Sequence, residues 1–82
     1  MVERVIHVLK EEFPGISAEE LHELPNGKVS GSVSWDGFES VDDVDRQQKI
    51  HSVLRERLGA EAQFVGLLLA YTPHELEVMR AA

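Results

Sequence analysis

The segment "KVSGSVSW", residues 28–35, alternates with a period of two: Val29, Gly31, Val33 and Trp35 fall on one side, Ser30, Ser32 and Ser34 on the other. That pattern predicts a half-buried strand. A strand cannot stand alone, because its backbone N–H and C=O groups need neighbours and its apolar face needs a cover. The chain must therefore supply further strands and a helical layer. Two segments qualify as strands. Residues 19–24 precede the turn "PNG", whose Asn26-Gly27 pair favours the positive φ of tight hairpins. The same stretch, "ISAEELHEL", also fits a helix, since Ser17 with Glu20 forms a capping-box pattern and Leu21 and Leu24 suit helical spacing. The strand reading is preferred because it gives the serine-rich segment its antiparallel partner. "AQFVGLLLAY", residues 62–71, is a nearly continuous apolar run and predicts a strand covered on both faces.

Three helices complete the layout. Val2, Val5, Ile6, Leu9 and Phe13 recur at i, i+3, i+4, i+7 spacing, and Pro14-Gly15 ends that helix. Ser40, Asp42, Asp43 and Asp45 suit a helix start, where carboxylates meet exposed N–H groups; the helix should run to Leu58 and stop at Gly59. Thr72 as cap, Pro73 at the first helical position and Glu75 closing a capping box open the last helix. The 82 residues thus form one α+β domain in the order α-β-β-α-β-α, a three-stranded mixed sheet with helices packed on it.

The middle helix has an interrupted apolar stripe. At about 100° per residue, Ile50, Leu54 and Leu58 share an arc with Val44 at its edge. Gln47 projects between Leu54 and Leu58, and His51 beside Leu58, whereas Arg46, Lys49, Ser52 and Glu56 point elsewhere. Near the first turn, Gln47 is expected to be partly solvated or to cap a backbone group. A lone histidine such as His51 on an apolar face is more often a satisfied core residue than a ligand.

Composition excludes several chemistries. Without cysteine there is no disulfide framework, thiolate metal site or thiol nucleophile. A net charge of -7 opposes binding to a nucleic-acid backbone, although Arg46, Lys49, Arg55 and Arg57 gather four of the eight basic residues on one helix. No apolar run is long enough to span a bilayer, and "MVERVIHVLK" lacks a secretory h-region, so no membrane association and a cytoplasmic location are expected. His7, His22, His51 and His74 occur singly, which predicts no metal site; His7 suits a surface pair with Glu3. No serine, acidic cluster or glycine-rich loop forms a catalytic or phosphate-binding pattern, so no catalytic residue and no cofactor are assigned. Trp35 and Phe38 are expected in the core.

Phe38, then "DRQQKIHSVLRERLG", then "FVGLLLAYTPHEL" together resemble the BolA family. That family carries a phenylalanine before its middle helix, an Arg-His-Arg run opening it, an apolar final strand and "TPEEW" opening the last helix. Arg46 matches the first arginine; Gln47 stands for the histidine and Gln48 for the second arginine. Thr72, Pro73 and Glu75 match the last motif, with Leu76 where tryptophan is usual.

The resemblance implies a fold related to the type II KH domain. It also implies a role beside monothiol glutaredoxins, with which BolA proteins hold a bridged iron–sulfur cluster. The family's ligand histidine aligns with Phe64, and the hairpin loop here is cut to "PNG", so cluster ligation is not carried over. The first expectation is a non-enzymatic adaptor binding a monothiol glutaredoxin or another protein through Arg46, Gln47, Lys49, His51 and Phe64. The alternative is a KH-like nucleic-acid binder with Arg46, Lys49, Arg55 and Arg57 on phosphates.

Overall fold

A computed structural model describes residues 1–81. Along the chain lie α1 (Val2–Glu12), β1 (His22–Glu23), β2 (Val29–Ser34), α2 (Asp43–Leu58), β3 (Val65–Tyr71) and α3 (Pro73–Ala81). Short 3₁₀ turns occupy Asp36–Phe38 and Gly59–Phe64. The sheet has the order β1-β2-β3; β1 pairs with β2 antiparallel, and β2 with β3 parallel. This is the α+β arrangement that the order of periodicities implies, a mixed sheet crossed by α2 between its parallel strands.

The core lies on one side of the sheet. Val5, Val8 and Leu9 of α1 and Ile50, Leu54 and Leu58 of α2 cover Val29 and Val33 of β2 and Leu68 and Ala70 of β3. Each large aliphatic side chain withdrawn there contributes about 1.5–3 kcal/mol. Phe13, Trp35 and Phe38 close one end, with Trp35 edge-on to both phenylalanines at 5.1 and 5.2 Å. The Trp35 indole N–H donates to the Pro14 carbonyl at 2.8 Å. Its ring lies so close over Gly37 that a Cβ there would come within 2.3 Å of it, which explains the "DG" that follows.

The first strand is shorter than residues 19–24. Only His22 and Glu23 pair regularly, opposite Ser30 and Val29, while Ser17 bridges Ser34. Between those pairings four residues (18–21) face three (31–33), so one extra residue is forced into a bulge. Gly31 makes the bulge possible: at φ 140° it lies against the Glu20 carbonyl, which a Cβ would meet at 2.2 Å. No helix forms here, and the Ser17 hydroxyl donates to the Glu19 carboxylate instead of entering a capping box with Glu20.

Two further expectations need correction. Residues 62–64 belong to the 3₁₀ turn that follows Gly59, and β3 begins at Val65. Nor is β3 covered on both faces, because Leu67 is 66% and Leu69 42% exposed. Leu68 and Ala70 alternate with them and take the whole helical cover. Among the described residues the opposite face has only α3 beside it, nine residues with none buried. Its Leu76 and Arg80 lie near Ser32 and Ser34 and leave Leu67 and Leu69 in the open. Val44, placed at the edge of the apolar arc by projection, is 67% exposed in the first turn of α2.

Candidate functional site

Five residues were expected to form a partner surface on α2 and the start of β3: Arg46, Gln47, Lys49, His51 and Phe64. They do not form one face. Arg46 is buried at 5% exposure, contrary to the expectation that it points away from the core. Its Nε donates to the Val41 carbonyl at 2.8 Å, and its Nη1 to the Ala70 carbonyl at 3.1 Å. Nη1 and Nη2 both reach the Glu75 carboxylate, at 2.7 and 3.3 Å. The guanidinium also lies 5.7 Å from the centre of the Phe38 ring. Arg46 is therefore unavailable to a partner or a phosphate, because its donors are already committed.

The same junction explains the opening of α3. Glu75 accepts from the Thr72 N–H at 2.9 Å while its own N–H donates to the Thr72 hydroxyl at 3.1 Å, a capping box made as its residues predict. The Arg46 hydrogen bonds, then the Thr72 N–H, hold the Glu75 carboxyl at about 2, well below its usual range. Two motifs far apart in sequence thus meet over the end of β3.

Gln47 answers for the break in the apolar stripe. Half-buried, it donates its side-chain N–H to the Leu68 carbonyl at 2.7 Å, so the expectation that it caps a backbone group holds. His51 is also half-buried, so it is not the enclosed core residue that its place on the stripe suggests. Phe64 ends the 3₁₀ turn at 38% exposure. Lys49 faces away from β3, into a groove of about 670 Å³ shared with Phe13, Val41, Asp45 and Val53. Ser40, which also borders that groove, has φ 61°, a left-handed backbone uncommon for a residue other than glycine.

The four cations of the nucleic-acid reading are dispersed in the same way. Arg46 is buried against Glu75, and Arg57 donates to Glu12 at 2.9 Å and Glu11 at 2.5 Å, tying α2 to α1. Those carboxylates neutralise Arg57, so only Lys49 and Arg55 of the four lack an ion pair among the described residues. Two free cations on an acidic chain make a poor phosphate track. His7 pairs with Glu11, four residues on, at 3.4 Å and not with Glu3, and Arg57 meets the same carboxylate.

The donor set at the position implied for a cluster does not fit an iron–sulfur group. Phe64 offers only a hydrocarbon ring, and the β1–β2 turn presents Pro25, Asn26 and Gly27. Among the described residues no three histidine, aspartate or glutamate side chains converge as a metal site would require. No helix among them is long and apolar enough to cross a membrane.

What the sequence reading missed is the free side of the sheet. Leu67 and Leu69 stand beside Ser30, Ser32 and Gly31, with Glu20 and His22 at the margin of an open depression of about 440 Å³. A signal for it exists in the alternation of residues 28–35. Ser30 and Ser32 of that row are half-exposed while Ser34 is buried, and a polar face on β2 implies that neighbouring side chains of β3 on that face are open too. Comparison with known proteins adds no name: no family model, no curated protein and no solved structure matches this chain.

Proposed function

We propose that this chain is a non-enzymatic, BolA-like cytoplasmic adaptor that docks a monothiol glutaredoxin on the free side of its sheet and contributes no ligand to an iron–sulfur cluster. One observation carries the reading: two leucines of β3, Leu67 and Leu69, stand 66% and 42% exposed beside the short side chains of Ser30 and Ser32. Exposed apolar rows framed by polar residues are characteristic of protein contacts. The adjoining Ser30, Ser32 and Gly31 are short enough to admit a partner's side chains against the strand. The polar residues first assigned to the contact, Arg46 and Gln47, have internal hydrogen bonds and hold the strand in place. Lys49 lies on another side of α2 and is not part of the docking face.

Titrating the isotope-labelled chain with a monothiol glutaredoxin tests the proposal. Amide shifts should centre on Leu67, Leu69, Ser30 and Ser32, and the absorption of a glutaredoxin-bridged cluster should keep its form when the chain is added. Shifts confined to α2, or a new cluster band that follows histidine ligation, would overturn the reading. Parallel titrations with single-stranded RNA and DNA at low salt should leave the amide spectrum unchanged. Shifts at Lys49 and Arg55 in those samples would favour the nucleic-acid alternative instead.

A further inference from the structure

β3 is an edge strand with none of the usual protection in its own sequence. Between Glu61 and His74 there is no charged side chain, and no proline interrupts "VGLLLAY". Such a strand is a template for addition of a second strand. Its two halves are nevertheless closed in different ways. In the first half the pairing with β2 shifts register: Val29 is opposite Val65 and Gly31 opposite Leu68, so two steps on β2 face three on β3. That bulge breaks the regular spacing an added strand needs.

The second half is regular, and its outward carbonyls can be identified. The Trp35 N–H donates to the Tyr71 carbonyl at 2.9 Å, so Tyr71 points toward β2. Backbone groups alternate along a strand, which turns Ala70 and Leu68 to the outer edge. Those two carbonyls are the ones that α2 occupies, Ala70 through Arg46 at 3.1 Å and Leu68 through Gln47 at 2.7 Å. We infer that Gln47, with Arg46, closes the outer edge of β3 against strand addition, and that without it the edge accepts β3 of a second copy of this chain. The second copy is the occupant because an uncharged strand meets no repulsion from its own twin, and an antiparallel pair about a twofold axis satisfies both edges at once. The polar break in the stripe of α2 is then a guard on the strand beneath it.

Gln47→Ala frees the Leu68 carbonyl, the Gln47 half of the guard, and leaves α2 a good helix. Sedimentation velocity over a concentration series should show this variant self-associating at roughly tenfold lower concentration than the unsubstituted chain. Hydrogen exchange of the associated form should show newly protected amides at Leu68 and Ala70. Gln48→Ala, on the groove side of the same helix, should behave as the unsubstituted chain. If the alanine variant fails to fold, Gln47→Met keeps the volume without the donor and takes its place. A folded Gln47 variant that sediments as the unsubstituted chain does would refute the inference. So would association that leaves the Leu68 and Ala70 amides unprotected, since another surface would then be in contact.

Discussion

The two faces of β3 show how one strand divides its work. Toward α1 and α2, Leu68 and Ala70 are buried at 0% and 8% exposure and belong to the core. Toward the other side, Leu67 and Leu69 lie open beside Ser30 and Ser32. Residue type does not distinguish them, for three consecutive leucines fall on alternating sides. The difference comes from what the rest of the chain can cover, and the two long helices are both on one side.

The largest expected effect is on the closed face. Leu68→Ala should destabilise the fold by about 2–5 kcal/mol, measured by denaturant unfolding, whereas Leu67→Ala should change it by less than about 0.5 kcal/mol. Equal losses at the two positions would erase the contrast. Next comes the junction at the end of β3. Arg46→Met keeps much of the volume but leaves the Val41 and Ala70 carbonyls without their donor, and should cost about 2–3 kcal/mol.

Acid sensitivity sharpens the same contrast. Because folding lowers the Glu75 carboxyl to about 2 from an ordinary value of 4.5, its contribution is present above about 4.5 and fades as pH falls through about 2. Stability curves against pH should therefore flatten over that window in Glu75→Gln, with the variant less stable at neutral pH. A variant with an unchanged acid limb would show that the Arg46 contact does not stabilise the native state. The smallest effect is at Ser40, where Ser40→Gly relieves the positive φ and should stabilise by about 0.5 kcal/mol, readable as a small rise in the unfolding midpoint.

Much of this architecture is legible in the sequence. Periods of two and of about 3.6 located the central strand and the helices, and Thr72 with Glu75 announced the cap that forms. What periodicity could not convey was depth. A helical projection assigns Arg46 to the solvent side, yet a long side chain at the first turn can bend back to a strand end and bury its guanidinium there. Nor does a run of leucines declare which side is covered, since that depends on where α3 ends up. The short β1 was hidden for a local reason: the extra residue among 18–21 appears only when the pairings on either side of it are compared. For the partner surface, Gln47 was recognisable as a backbone cap, but its target on β3 was not.

The most direct measurement of the division of labour is a double substitution on the open face alone. Leu67→Ser with Leu69→Ser should leave the unfolding free energy within about 0.5 kcal/mol of the unsubstituted chain while abolishing the amide shifts proposed for a monothiol glutaredoxin. An unfolded double variant, or one that binds as well as before, would contradict the account.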